Sequence, residues 1–156
     1  MATISYSFKA VGVVHSPFRK PEDIPKEMNA APGGFDDIES EIEVFPEFEP
    51  GLKDIDAFSH LIVLFSFHAA GPARLLVRPP FETEERGVFA TRSPHRPNPI
   101  GLTVVRLLGR AGAGLRVSGL DAVEGTPVLD IKPYTRKDQK MDIKTGWIKG
   151  DDASCP

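Results

Sequence analysis

The sequence predicts a mainly β fold, a small closed or partly open barrel with few short helices, and three observations lead to this prediction. The chain has 156 residues, a length that fits one domain. Its 14 Gly and 15 Pro are spread without a repeating period, and such frequent turn signals favour short strands. No long stretch keeps an apolar stripe at helical spacing. We therefore expect a single domain at 1–156, with a core at about 8–138 and a tail at 139–156.

Seven segments carry strand patterns, and three of them indicate how the strand is buried. Glu41–Val44 and Leu115–Ser118 alternate polar and apolar residues, as strands with one face on a core do. Ser59–Phe67 has a continuous apolar centre, which predicts a strand buried on both faces at the heart of the sheet. About seven strands at this spacing suit a barrel or a sandwich. The other four predicted strands are Phe8–His15, Gly87–Thr91, Gly101–Leu108 and Val128–Lys132.

Three segments outside these strands also carry predictions. Pro17–Gly34 is a loop rich in Pro and Gly, and loops of this length in small domains usually have a function. Pro72–Leu76 is expected to form a turn of helix. In the glycine-rich stretch Gly109–Gly114, the third glycine of a GxGxxG pattern would fall at Val117, and a strand follows instead of a helix. We therefore expect a hairpin turn there, and no Rossmann sheet.

The net charge of −3 conceals an uneven distribution. Residues 1–56 carry five basic and twelve acidic residues, whereas residues 71–120 carry eight arginines and three acidic residues. Lys and Arg drive binding to nucleic-acid phosphates by releasing counterions. The arginines therefore form a phosphate-binding patch or are scattered over the barrel surface, and the sequence leaves both open. They are Arg74, Arg78, Arg86, Arg92, Arg96, Arg106, Arg110 and Arg116.

Cysteine content and hydropathy favour a soluble cytoplasmic protein. Cys155 is the only cysteine, so we expect no intrachain disulfide and interpret Cys155 as an incidental thiol. Met1–Lys9 lacks the features of a secretory signal. The most apolar run, Ala57–Ala70, contains two His and two Ser and is shorter than the roughly 20 residues that a membrane span requires. We expect no membrane association.

The histidines do not predict a metal site. His60 and His68 lie eight residues apart in one apolar run. On a regular strand this spacing corresponds to about 26 Å, too far for two ligands of one ion. We expect both to provide hydrogen-bonding groups at the ends of a strand, one of which could line a pocket. The other two histidines are His15 and His95.

Two polar segments are the best candidates for ligand recognition. Residues 92–100 contain three prolines within six positions, so this loop is pre-shaped and presents its arginines and Asn98 at low entropic cost. A rigid connection between two strands is the alternative. Asp130 and Lys132 alternate with apolar residues on one strand, so they share a face. They form either a surface ion pair or the polar wall of a pocket.

Six segments, taken in order, carry a resemblance to a known family. They are His15–Phe18, Ala57–Leu61, Phe65–His68, Val77–Pro80, Gly87–Leu102 and Gly125–Tyr134. Together they resemble the successive motifs of the TsaA-like (TrmO) family. The resemblance implies a small β-barrel that binds S-adenosylmethionine (SAM) without a Rossmann sheet. It also implies a homodimer with SAM near the subunit interface, and N6-methylation of the threonylcarbamoyl-adenosine at position 37 of tRNA.

The same resemblance implies which residues bind SAM. This chain departs from the family where Lys26–Asn29 replaces a common Arg-Gln-Pro-Gly, and where Ala69 replaces the usual Gln after the histidine. It also carries Glu124 where an Asp usually precedes Gly-Thr-Pro. The implied SAM-binding residues are Pro25, Lys26, Glu27, His68, Ala69, Arg92, Leu102, Glu124, Gly125, Thr126 and Pro127.

On the substrate side, we expect Asp130 to be catalytic. It would orient the poorly nucleophilic exocyclic amine of adenine and receive its proton. Arg96, Asn98, Lys132 and Tyr134 are expected to bind the substrate, with Tyr134 stacking on a base and the arginines holding phosphates. Two other functions remain open: a non-catalytic regulatory module that binds SAM or a nucleotide, and a SAM-dependent enzyme that acts on a small molecule.

Overall fold

Eight β-strands form in the part of the chain that the structure describes. The structure is a computed structural model, and it describes residues 2–29 and 31–148. Cys155 and the predicted tail beyond residue 148 lie outside the described residues. The strands are β1 (Gly12–His15), β2 (Glu39–Val44), β3 (His60–Ser66), β4 (Leu76–Val77), β5 (Arg86–Gly87), β6 (Ile100–Ala111), β7 (Gly114–Ser118) and β8 (Pro127–Pro133).

Six of these strands close into an antiparallel barrel. Their order around the barrel is β1, β2, β7, β6, β3 and β8, and β8 pairs with β1 to complete the circle. β4 and β5 form a separate two-stranded sheet. The predicted mainly β fold without a Rossmann sheet is confirmed, in its closed form. β3 pairs along its length with both β6 and β8, but a closed barrel has no central strand, so the predicted place at the heart of the sheet is not distinct from that of the other strands.

The interior of the barrel is filled by the alternate apolar residues of its strands. On β3, the side chains of Leu61, Val63 and Phe65 are at most 2% exposed. The prediction that this strand is buried on both faces is wrong, because Ile62 and Leu64 on the opposite face are only partly buried. A closed barrel has a wall one sheet thick, so its outer face is covered only where another element packs on it.

Three predictions near or outside the barrel are also wrong. Gly87–Thr91 is not a strand: only Gly87 belongs to β5, and Val88–Ala90 is a turn of 3-10 helix. Pro72–Leu76 does not form a helical turn, and the chain there is irregular until β4. The predicted strand Phe8–His15 begins only at Gly12. A short apolar pattern in the sequence does not distinguish between a strand, a helical turn and irregular backbone.

The connections between the strands agree better with the predictions made from the sequence. A tight turn joins β6 to β7 as the predicted hairpin, with Gly112 at a φ of 59° that favours glycine. The long loop predicted at Pro17–Gly34 is present, and it contains one turn of 3-10 helix. None of the helices in residues 2–29 and 31–148 is long and apolar enough to cross a membrane. As predicted, the helices there are few and short: Pro21–Asp23, Pro46–Leu52, Ile55–Ala57, Val88–Ala90 and Arg136–Asp138.

The segment between β7 and β8 attaches the long N-terminal loop to the barrel. Leu120 and Ala122 of this segment are buried in the main core. The next residue, Val123, packs instead in a second apolar cluster with Phe18 and Phe35 of the N-terminal loop. Adjacent residues of this segment therefore belong to the two apolar clusters. As a result, the N-terminal loop is anchored beside the segment that leads into β8.

Candidate active site

Most of the predicted SAM-binding segments meet at one end of the barrel, around the end of β3. Phe65 pairs with Gly101 at the start of β6 and with Val128 at the start of β8. The chain that leaves β3 and the chains that enter β6 and β8 therefore lie side by side. We call this end the loop end. It carries His68 and Ala69 after β3, Arg92, Arg96 and Asn98 before β6, and Glu124, Gly125 and Thr126 before β8.

The loop before β6 is braced by its own polar groups. Arg96 Nη1 donates to the carbonyl oxygens of Thr91 and Ser93, both at 3.0 Å. Thr91 Oγ1 donates in turn to the carbonyl oxygen of Val88 at 2.9 Å. One nitrogen of Arg96 thus shapes the loop, a use that the sequence did not indicate. Its predicted contact with the substrate depends on the remaining guanidinium nitrogens.

The same loop is tied to the barrel on two sides. The amide of Phe67 donates to the carbonyl oxygen of Pro99 at 2.8 Å, which joins the exit of β3 to the entry of β6. Arg92 Nη1 reaches the carbonyl oxygen of Leu102 at 3.4 Å, while its side chain remains exposed to solvent. The structure therefore brings together Arg92 and Leu102, two residues that the family resemblance implies for SAM binding.

The turn before β8 is clamped onto β1 by backbone hydrogen bonds. The amide of Gly125 donates to the carbonyl oxygen of Val14 at 2.8 Å. The amide of Val14 donates to the carbonyl oxygen of Thr126 at 2.9 Å. Gly125 has a φ of 77° and open space around its Cα, so only its conformation calls for glycine. The turn therefore presents bare backbone to solvent at the loop end.

The carboxylate of Glu124 is occupied by the protein itself. Its Oε2 accepts a hydrogen bond from the amide of Ser16 at 2.6 Å, and its Oε1 accepts one from His15 Nδ1 at 3.1 Å. His15 Nε2 donates at 2.7 Å to Glu43 on β2. The His15 ring therefore links three separate segments, and we call this group the histidine clamp. The amide of Glu124 also donates to the carbonyl oxygen of Phe18 at 2.7 Å, so contact between Glu124 and a ligand would involve its own carbonyl oxygen.

Hydrogen bonding shifts the pKa of both partners in the clamp. The bond to Glu43, followed by the bond to Glu124, raises the pKa of His15 above 6.5. The Ser16 amide, followed by His15, lowers the pKa of Glu124 below 4.5. The stabilisation from His15 is lost as the pH rises through its raised pKa, and that from Glu124 is lost as the pH falls through its lowered pKa. The stabilisation from His15 and from Glu124 is therefore present together between about pH 4.5 and pH 6.5.

Pro25, Lys26 and Glu27 lie on the N-terminal loop next to its apolar anchor. Met28 packs against the cluster that contains Val123, the residue immediately before Glu124. Lys26 and Glu27 are exposed. The loop is therefore attached to the turn before β8, which supports the predicted grouping of these two segments in one site.

Asp130 and Leu102 lie on the outer face of the barrel, on either side of Leu64. Leu64 pairs with Leu102 on β6 and with Asp130 on β8, which separates those two residues by about 10 Å. Lys132 Nζ lies 2.7 Å from Asp130 Oδ2, and both side chains are about half exposed. Of the two alternatives for this pair, the structure shows the surface ion pair.

Tyr134 is not brought to the loop end. It follows β8, its amide donates to the carbonyl oxygen of His60, and the two rings meet edge to face at 6.2 Å. His60 begins β3, whereas the loop end surrounds the last residues of β3. Stacking of Tyr134 on a target base stays a prediction.

The arginines of residues 71–120 are not one free patch, because protein groups engage five of the eight: Arg92, whose bond to Leu102 is described above, and four others. Arg86 pairs with Glu82 and Glu84, and Arg96 braces its own loop as described above. Arg110 donates to two carbonyl oxygens, and Arg116 lies 3.6 Å from Glu39. The scattered arrangement therefore describes these four. Arg74, Arg78, Arg92 and Arg106 are exposed.

Known proteins share this fold and these segments. Residues 13–140 match the family model described as the tRNA-methyltransferase O N-terminal domain. The chain belongs to the TrmO family. The family resemblance of the sequence motifs is thereby confirmed.

Three TrmO relatives show the extent of the similarity. A probable S-adenosyl-L-methionine-binding protein of Pyrococcus abyssi is 49% identical over 143 residues, which is 91% of this chain and 76% of that protein. A tRNA (adenine(37)-N6)-methyltransferase of Escherichia coli is 38% identical over 140 residues, which is 83% of this chain and 58% of that protein. A crystal structure of TrmO from Pseudomonas aeruginosa has a TM-score of 0.73 and 37% identity, covering 92% of this chain and 62% of the other. This chain thus spans less than two thirds of the last two proteins.

Two features of this TrmO chain escaped the sequence reasoning. One is the histidine clamp, whose partners are distant in sequence. His15 itself belongs to the first of the six family-like segments, His15–Phe18. The other is the outer face of β6, where Ile100, Leu102, Val104 and Leu108 are 37–44% exposed. Apolar residues occur on both faces of β6, so the sequence did not reveal which face is outside.

Proposed function

We propose that this chain binds SAM at the loop end of the barrel and transfers its methyl group to N6 of an adenosine in tRNA. The observation that carries the proposal is the convergence of three motif-bearing loops on the end of β3. The names of the Pyrococcus abyssi and Escherichia coli relatives support SAM as the methyl donor and adenosine 37 of tRNA as the target. The further requirement for a threonylcarbamoyl group rests on the family resemblance alone.

The groups at the loop end fit the chemistry of SAM. Its carboxylate requires a cationic donor, and the exposed side chains of Arg92 and Lys26 provide two. Its ammonium and ribose hydroxyls require acceptors, which Glu27 and backbone carbonyls provide. Leu102 offers an exposed apolar surface beside Arg92. His68, Ala69 and the 124–127 turn complete the proposed SAM-binding set.

When bound, SAM supplies a methyl group activated by the adjoining sulfonium. The chain contributes position, since holding two reactants in line accounts for much of the acceleration in such a transfer. Asp130 orients the exocyclic amine of adenine and receives the proton that the amine gives up. Lys132 holds that carboxylate at 2.7 Å. Arg96, Asn98 and Tyr134 are the proposed RNA contacts.

We also propose that two copies pair through the outer face of β6. Outward positions of strands in water are usually polar, yet four of the five from residue 100 to residue 108 are apolar and exposed: Ile100, Leu102, Val104 and Leu108. Arg106 is the one charged residue among them. A face of this kind is suited to a self-complementary, two-fold interface. Leu102 belongs both to this face and to the proposed SAM contacts, which agrees with a site near the subunit boundary. A role on tRNA would place the protein in the cytoplasm.

Labelled SAM and bulk tRNA test the catalytic proposal. After incubation with the protein and digestion to nucleosides, we expect label in N6-methylated adenosine. Arg92→Ala should weaken SAM binding in calorimetry by about tenfold, the loss of one charge-assisted contact. Arg78→Ala, at an exposed arginine that begins the β4–β5 loop, is the matched control and should bind normally. SAM binding without transfer to tRNA would favour a regulatory module or a small-molecule substrate.

Sedimentation tests the dimer separately. Val104→Glu places a charge within the apolar face and should convert the protein to monomers, because an unpaired buried charge is strongly unfavourable at an interface. Leu76→Glu, at an exposed leucine of β4, should leave the dimer intact. A wild-type protein that sediments as a monomer at micromolar concentration would contradict the proposal.

A further inference from the structure

Trp147 connects the end of the described chain to a turn far away in sequence. Its indole Nε1 donates to the carbonyl oxygen of Ala90 at 2.8 Å, across 57 residues. It is the only tryptophan of the chain. Residues 139–148 form no helix or strand. Among the described residues of this segment, the indole makes the one side-chain hydrogen bond to a distant part of the fold.

A second contact holds the same indole ring. The guanidinium carbon of Arg86 lies 5.6 Å from the centre of the Trp147 ring, a distance at which a cation attracts the ring face. Glu82 and Glu84 hold the guanidinium at 3.5 and 3.0 Å, and Arg86 itself is paired with Val77 on β4. The small β4–β5 sheet therefore provides a fixed platform for the indole.

The chain around Trp147 is shaped to present the ring. The amide of Ile148 donates to the carbonyl oxygen of Thr145 at 3.2 Å, and Thr145 Oγ1 donates back to that of Ile148 at 3.3 Å. Gly146 has a φ of 63°, which a side chain would disfavour. These bonds close a tight turn with Trp147 inside it, so the ring position is determined by its backbone as well as by its contacts.

The bonded carbonyl belongs to the turn that begins the loop before β6. Ala90 ends the 3-10 turn that starts at Val88. The next residue, Thr91, donates both its amide and its Oγ1 to the carbonyl oxygen of Val88, and accepts from Arg96 Nη1. A continuous path of hydrogen bonds and covalent links thus runs from Trp147 to the residue that precedes Arg92.

We infer that Trp147 is a positioning residue that clips residues 139–148 to the Val88–Ala90 turn and so fixes the start of the loop that carries Arg92. The consequence for ligand binding rests on the proposed SAM site. A loop that is already ordered loses less conformational freedom when it binds a ligand, so the clip should act on affinity and not on the chemical step.

Hydrogen exchange of the SAM-free protein tests the clip without reference to function. In Trp147→Ala, the amides of residues 88–96 should exchange about tenfold faster than in wild type, as expected for loss of a hydrogen bond and a cation–π contact. Met141→Ala, in the same segment at a side chain that is 86% exposed, is the matched control and should show wild-type exchange. Equal exchange in the two variants would overturn the inference.

Binding and kinetics test the consequence. Trp147→Ala should raise the Kd for SAM by about tenfold, with kcat at saturating SAM within about twofold of wild type. Trp147→Phe keeps a ring over Arg86 but loses the donor, so a rise of about fivefold is expected, and this variant decides the matter if the alanine variant does not fold. An unchanged Kd in a folded variant would overturn the positioning role. If the wild-type protein binds no SAM, the proposed function is wrong. The hydrogen-exchange comparison still tests whether Trp147 holds the Val88–Ala90 turn.

Discussion

Replacing Gly101 with Ala should disturb the core directly beneath the loop end. An added Cβ would lie 2.5 Å from Cζ and 2.9 Å from Cδ2 of Phe65, and nearer still to its Cε2. Ordinary contacts between carbon atoms are about 3.5–4.0 Å, so the ring would have to retreat by about 1 Å. Phe65 is 2% exposed and packs edge to face on Phe67 at 5.4 Å, which leaves little room for this movement.

The size of the effect follows from two opposing contributions. Overpacking of a dense core costs about 1–3 kcal/mol. Gly101 does not have a positive φ, so alanine is compatible with its backbone and recovers about 0.4–1 kcal/mol by restricting the unfolded chain. We expect a net loss of about 1–2 kcal/mol, which lowers the Tm of a domain of this size by about 2–8 °C.

Urea unfolding at equilibrium provides the assay, with the midpoint and the m value fitted separately. Gly109→Ala is the matched control, because Gly109 lies on the same strand and nothing lies within 4 Å of an added Cβ. That variant should be as stable as wild type or slightly more stable. In a double-mutant cycle, Phe65→Leu should relieve part of the cost of Gly101→Ala. If Gly101→Ala were as stable as Gly109→Ala, the steric argument would be wrong.

Three further predictions concern the loops and the chemistry. His15→Gln should lower the free energy of unfolding by up to about 1 kcal/mol at pH 6 and by less at pH 9. The reason is that His15, whose pKa is raised, is charged only at the lower pH. If the urea midpoints of variant and wild type differed equally at both pH values, this reasoning would be wrong. Gly34→Ala should weaken SAM binding by about tenfold in calorimetry, because the added Cβ would meet the backbone of Met28 and displace the N-terminal loop. Gly51→Ala is the control and should bind SAM normally, because nothing lies within 4 Å of its added Cβ. Equal affinities of the two variants would exclude the N-terminal loop from the SAM site. Asp130→Asn should slow single-turnover methylation by about 100-fold or more, and full activity would remove its role as proton acceptor.

The strands of the barrel could be predicted wherever one side of a strand faces the core. On β2 and β7, the apolar side chains of Ile42, Val44, Leu115 and Val117 are all buried, because apolar residues lie on the inner side of the barrel wall. Ser40 and Ser118 are buried as well, so polarity did not identify every inward position. The same reasoning failed at Val88–Ala90. Val88 is buried and Phe89 is exposed there, as in a strand, but the backbone forms a turn. Burial in that segment comes from contacts with other segments of the chain, and the periodicity of the sequence carries no information about such contacts.

Motifs predicted the segments of the proposed site but not the interactions of each side chain. Arg96 and Glu124 both stand in motifs and both carry a charge suited to a ligand. In the fold, one nitrogen of Arg96 holds two carbonyl oxygens of its own loop, and both oxygens of Glu124 are held by His15 and Ser16. The sequence does not show which charged side chains are engaged, because their partners include backbone carbonyls and amides whose direction is set only by the folded chain.

The sequence by itself determined the fold class and the order of the barrel strands along the chain, and it supplied the segments of the proposed site, because periodicity, turn chemistry and motifs are local properties. Tertiary structure alone decided which face of β6 is exposed and which groups are paired. His15 meets Glu43 and Glu124 across 28 and 109 residues, and Trp147 meets Ala90 across 57. Contacts at such separations arise only when the barrel closes, and no local pattern along the chain encodes them.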